Sequence, residues 1–105
     1  MKRQNKYHAQ RVQLDGHWFA SKREAKRYAE LRLLEKLGDL TNLRLQVHFP
    51  VLINGIKVFT YIADFTYSDR DEIDCVEDAK GMRTEIYRLK KKCVEAMYGI
   101  KIMEV

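Results

Sequence analysis

The sequence predicts an α/β (α+β) fold: a mixed four-stranded sheet flanked by helices, in the order αβββαβ, preceded by an N-terminal β-hairpin. Three observations carry that expectation. Residues 21–37 and 84–98 repeat apolar side chains at three- and four-residue steps, the period of an amphipathic helix. Runs rich in β-branched and aromatic residues, such as IKVFTYIADFTY, lie between and after them. The pairs Asp15-Gly16 and Asn54-Gly55 interrupt such runs, and a type I′ hairpin turn needs positive φ at both of its central residues.

Each element follows from local chemistry. VQLDGHWF is the leading hairpin, turning at Asp15-Gly16. Ser21 opens the first helix and Glu24 stands three residues on, so S-x-x-E forms a capping box. Ala25, Tyr28, Leu31, Leu34 and Leu37 continue the helix until Gly38 stops it. In the next strand, residues 43–53, Leu43, Leu45 and Val47 alternate with polar residues, and the single proline, Pro50, marks an edge strand or a bulge. The strand over 56–67 is bent, the polar stretch SDRDE turns the chain, and residues 73–80 return as a third strand. The second helix over 84–98 carries Ile86, Leu89, Cys93, Ala96 and Met97 on one face, and Gly99 closes it. IKIMEV is the terminal strand.

At 105 residues the chain implies a single domain, with residues 1–20 as a basic segment plus hairpin and 21–105 as the core. Cys75 and Cys93 lie outside any C-x-x-C spacing, which excludes a cysteine zinc knuckle and a disulfide-stapled scaffold. No apolar run approaches the ~20 residues that cross a bilayer, and no apolar core follows the basic N-terminal residues as in a signal peptide. A soluble intracellular protein is expected. Its net charge of +5 is uneven. Residues 1–11 hold four basic side chains and no acid, and residues 83–92 hold five against one, whereas residues 64–78 hold seven carboxylates and one Arg. Basic ends suit a polyanion, because Lys and Arg displace counterions from phosphates.

The acidic middle carries the chemistry. On the third strand Asp78 and Lys80 share a face, about 6–7 Å apart at the usual rise per residue. The preceding turn brings Asp64 alongside them. Carboxylates gathered beside apolar residues lose hydration and repel one another, and a divalent cation removes that cost. Asp64, Asp78 and the backbone carbonyl of Ala79 offer oxygen ligands for Mg²⁺. Lys80 is placed to orient a water and to offset charge on a phosphoryl transition state. An exposed strand pair with Asp64 facing solvent is the bland alternative. His8, His17 and His48 share no ligand spacing, and no Gly-rich phosphate loop or Ser-His-Asp set is present.

An aspartate followed after thirteen residues by D-x-K, on adjacent strands of an αβββαβ core, resembles the PD-(D/E)XK nuclease superfamily. Lys6-Tyr7-His8, the DG hairpin, SKREAKRYAELRLLEKLGDL, TYIADF, VEDAKG and YGIKIMEV together resemble a family of small phage-encoded proteins within it, over essentially the whole chain. The resemblance implies a restriction-endonuclease-like core with Asp64, Asp78 and Lys80 as catalytic residues. Ala63-Asp64 stands where the name-giving Pro-Asp pair would be, a departure the superfamily tolerates. A glutamate of the first helix often completes the site. Glu24 is favoured by position, although its cap role competes, and Glu30 is the alternate. K-G-x-x-T-x-x-Y-x-x-K implies DNA-backbone contacts from Thr84, Tyr87 and Lys90, with Lys91 and Lys6 as further basic contacts. A solvated charge run accounts equally for Lys91 and Lys92.

The expected function is a Mg²⁺-dependent endodeoxyribonuclease, with Mn²⁺ able to substitute, acting on DNA. Branched recombination or replication intermediates, as for a junction resolvase, are a target by fold analogy. A protomer this small selects such a substrate best as a homodimer. No membrane and no small-molecule cofactor is expected, and the compartment is the cytoplasm of a phage-infected host. The alternative is a non-catalytic DNA-binding accessory protein that keeps the nuclease fold.

Overall fold

The computed structural model describes residues 11–79 and 83–105; Lys6 and Lys80, with the neighbouring Tyr7, His8 and Gly81, lie outside them. Strands β1 (Val12–Leu14) and β2 (His17–Phe19) form the leading hairpin, followed by α1 (Lys22–Lys36). Strands β3 (Leu40–Ile53), β4 (Ile56–Asp69) and β5 (Asp74–Asp78) form a meander, α2 (Glu85–Tyr98) follows, and β6 (Ile102–Glu104) ends the chain. The large sheet has the order β3-β4-β5-β6, antiparallel except for the parallel β5–β6 pair. The expected αβββαβ core and its leading hairpin are both present.

Local chemistry sets the turns. Asp15 and Gly16 have φ of 52° and 78°, and Asn54 and Gly55 have φ of 51° and 78°, as type I′ turns require. The Ser21 hydroxyl accepts the Glu24 N–H at 3.2 Å and caps α1. Pro50 lies on β3, an edge of the sheet, and the β3–β4 register shifts between Val51 and Leu52. An edge strand tolerates the missing donor.

The sheet is covered on both faces. Phe19, Ala25, Tyr28 and Leu31 from the hairpin and α1 pack on Leu40 and Phe65. On the other face Tyr87 and Val94 of α2 pack on Val51, Tyr61, Ala63, Val76 and Ile102. Successive residues of β5 divide between the two sides: Val76 meets α2, whereas the fully buried Glu77 accepts a two-pronged ion pair from Arg27 of α1, both bonds 2.7 Å, and the Tyr67 hydroxyl. Burial first, and then the hydrogen bond to Glu77, push the Tyr67 hydroxyl pKa up, while the same carboxylate holds the Arg27 guanidinium charged.

Most of the apolar stripe of α2 is turned away from the sheet: Ile86, Leu89, Ala96 and Met97 are exposed, and Cys93 alone of the five packs, half-buried, against the core. The helix instead turns Tyr87 and Val94 inward, with Lys91 beside them reaching Glu104 at 3.7 Å. The sheet face below carries carboxylates at Asp78 and Glu104, and polar partners on that side of α2 offset their desolvation.

Candidate active site

Strand β4 is bent where the carboxylates gather. Tyr61 and Ala63 pack on the α2 side and Phe65 on the α1 side, so the alternation of faces breaks at Asp64. Across the β3–β4 pair Leu45 partners Phe65 and Val47 partners Ala63, and Gln46 between them has φ of 53°. A left-handed residue in mid-strand lets β3 follow the bend.

The β4–β5 ladder stops at Phe65–Glu77, and beyond it the two aspartates take over. Asp64 Oδ2 accepts the Ala79 N–H at 2.8 Å, and Asp78 Oδ1 accepts the Asp64 N–H at 3.4 Å. Asp78 also accepts the Tyr61 hydroxyl and is completely enclosed. Aspartates are seldom this buried without partners, and each carboxylate here holds the other's strand.

An open cleft of about 410 Å³ exposes one side of this arrangement. Glu24, Asp64 and Ala79, each nine-tenths or more buried, form its floor. Arg11, Trp18 and Gln46 are exposed residues of its wall. Glu24 Oε1 accepts the Gln46 side-chain amide at 3.0 Å. Glu24 is therefore drawn into the cleft with Asp64, over and above its place in the cap. Glu30 is not: it is 51% exposed, pairs with Arg27 at 3.8 Å and faces a separate depression beside Arg23 and Val105.

The structure thus joins Glu24, Asp64, Asp78 and Ala79, with Asp78 directly behind the cleft and absent from its lining. Among the described residues no group of three His, Cys, Asp or Glu side chains is arranged to hold a metal ion. The donor chemistry still suits a hard cation that keeps much of its water: two carboxylates on the cleft floor beside the Ala79 backbone, with a third directly behind.

The expected DNA contacts separate. Thr84 is the N-cap of α2 and accepts the Tyr87 N–H at 3.1 Å. Tyr87 is buried, and burial, the hydrogen bond to Glu104 and the charge of Asp78 together push its hydroxyl pKa up. Lys91 pairs with Glu104, and Lys90 lies over the Phe59 ring at 5.5 Å. Sequence reasoning did not single out Gln46, Trp18, Arg11 or Tyr61. The only sequence signal for Trp18 was a large aromatic on a short hairpin, and Gln46 had none.

A family model described as a protein of unknown function (DUF1064) matches residues 4–103. The chain belongs to this family. The DUF1064 match spans both helices, the sheet up to Met103 of β6 and every residue of the cleft. No curated protein and no solved structure matches the chain.

Proposed function

We propose that this DUF1064 protein is a divalent-cation-dependent endodeoxyribonuclease of the PD-(D/E)XK type. The observation that carries the reading is the cleft floor. A helix glutamate and a bent-strand aspartate open into one cavity beside Ala79, with Asp78 fixed behind. The cap and the Gln46 hydrogen bond account for part of the placement of Glu24; that a second nearly buried carboxylate opens into the same cleft as Asp64 is what supports the metal reading.

In this reading Glu24, Asp64 and the Ala79 carbonyl would hold Mg²⁺, with Mn²⁺ as substitute, and Asp78, enclosed behind them, would join only by giving up a hydrogen bond to Tyr61 or to the Asp64 N–H. Bound there, the cation supplies Lewis acidity at the phosphate and a water acidified towards neutral pH. Asp78 fixes the bend through the Asp64 N–H, and Gln46 aims the Glu24 carboxylate. Lys80 lies outside the described residues, and its role as the cation of the D-x-K motif rests on the sequence alone. Lys90 and Lys6 contribute salt-dependent affinity for DNA, whereas Lys91 is engaged by Glu104. The active unit is a homodimer, and branched DNA is the target.

A panel of duplex, single-stranded, flap and four-way DNAs incubated with Mg²⁺ or Mn²⁺ tests the activity. Calorimetric titration with Mn²⁺ tests the site: heat is expected for the wild type and lost in Asp64→Asn. Lys80→Ala is expected to bind DNA within a few-fold of wild type and to cleave at least ~100-fold more slowly, the effect of removing one donor to a developing oxyanion. Equal heats, or wild-type cleavage by Lys80→Ala, would falsify the assignment. One observation favours the binding-only alternative: Asp64 and Asp78 already satisfy hydrogen bonds within the fold. Binding of DNA with no cleavage under any metal would establish it.

A further inference from the structure

The β1–β2 hairpin has two unlike faces. Residues alternate along β2, so His17 and Phe19 meet Tyr28 of α1 and Trp18 lies on the other face of the hairpin, towards the cleft. The inner face is anchored. Phe19 is buried with its ring centroid 5.0 Å from that of Tyr28, His17 meets the same ring edge-on at 5.7 Å, and the Tyr28 hydroxyl donates to Asp15 at the turn, 3.1 Å away. The hairpin is thus a fixed arm, and what it holds out is an indole that is 58% exposed.

That indole lines the cleft whose floor is Glu24 and Asp64. Arg11 lies over the ring with its guanidinium 4.8 Å from the centroid. An exposed indole contributes little to the core, and its packing partner here is a cation at the mouth of a cleft. Aromatic rings presented beside basic groups are how proteins hold single-stranded nucleic acid, since every base has a π-face and every linkage a charge.

The geometry points to Trp18 as a stacking platform for an unpaired nucleobase of a DNA strand whose backbone enters the cleft, with Arg11 on the adjoining phosphate. This rests on the nuclease reading for the place of the phosphate and goes beyond it in naming the substrate class. Bases inside an intact duplex are already stacked, so Trp18 engages only where a base is unpaired: single strands, flaps and branch points. Selection for distorted DNA then resides in the hairpin rather than in the carboxylates.

Trp18 is the only tryptophan in the chain, so emission excited at the red edge, where the six tyrosines do not absorb, reports on this side chain alone. The experiment titrates the full-length protein in EDTA with a short oligothymidylate and, separately, with a blunt duplex of equal length. It reads Trp emission together with the anisotropy of labelled DNA. Saturable quenching by the single strand is expected, with weak or no quenching by the duplex. Trp18→Ala should lose about 5- to 100-fold in affinity for the single strand and little for the duplex, the range for one base–aromatic stack, while Trp18→Phe should retain most of it. Binding without quenching overturns the proposal, and so does equal affinity of Trp18→Ala and wild type. EDTA removes cleavage from the measurement. A protein that quenches but never cleaves keeps the platform and loses the nuclease, and one that cleaves without quenching does the reverse.

Discussion

Glu24 and Glu30 differ by six positions on one helix, and their surroundings assign them different work. Glu24 is enclosed, takes the Gln46 amide and shares a cavity with Asp64, whereas Glu30 reaches Arg27 in solvent. Glu24→Gln is therefore expected to slow single-turnover cleavage at least ~100-fold, because a neutral amide cannot offset a cation's charge. Its melting temperature should stay close to wild type, since glutamine also completes a capping box. Glu30→Gln should cleave and melt as wild type. Loss of cleavage in Glu30→Gln alone would place the site on the wrong turn of the helix.

Between elements, buried charge fixes how the helices sit on the sheet. Arg27 joins α1 to β5 through Glu77, whose side chain is 1% exposed. Removing the guanidinium leaves a carboxylate buried with only the Tyr67 hydroxyl, so Arg27→Ala should lose about 3 kcal/mol in urea unfolding. Arg27→Met combined with Glu77→Leu should recover much of that loss, because no charge then stays buried. On the other face, burial tends to raise the Glu104 pKa. The Tyr87 hydroxyl and the cations of Lys91 and Arg83 outweigh it and hold the carboxyl below the ordinary glutamate value of 4.5. A lowered folded pKa contributes stability above the unfolded value and loses it as pH falls through the folded one. Thermal melts from pH 6 down to pH 3 should therefore fall more steeply for wild type than for Glu104→Gln; parallel curves would show that Glu104 does not hold α2.

At the scale of the whole molecule, the proposed dimer needs a self-complementary surface, and the exposed stripe of α2 offers one. Ile86, Leu89 and Met97 stand 61%, 59% and 45% exposed along one side of the helix. Glu85 and Lys92 flank the stripe on the same side, seven residues apart. An antiparallel copy of α2 sets each against the other, so the surface complements itself in charge as well as in apolar area. Sedimentation is expected to find a dimer for wild type and a monomer of unchanged helicity for Leu89→Lys. A wild-type monomer at every concentration would remove the dimer from the proposed function. No helix among the described residues is long and apolar enough to cross a membrane.

The sequence by itself determined the elements whose causes lie within a few residues. Asp15-Gly16 and Asn54-Gly55 adopt type I′ geometry because few other residue pairs accept positive φ twice. Ser21 starts α1 because its hydroxyl reaches the third N–H on. Those fixed points, with the period of each segment, gave the order αβββαβ and placed Asp64 near Asp78. Only the tertiary structure decided what depends on distant partners. Periodicity identified the apolar stripe of α2, but carboxylates on the sheet drew the opposite side inward, because a buried charge costs more to leave unpaired than an exposed leucine does. The cleft is non-local as well. Trp18, Glu24, Gln46 and Asp64 come from a hairpin, a helix and two strands, and the bend that brings them together rests on Asp78 holding a backbone N–H fourteen residues away.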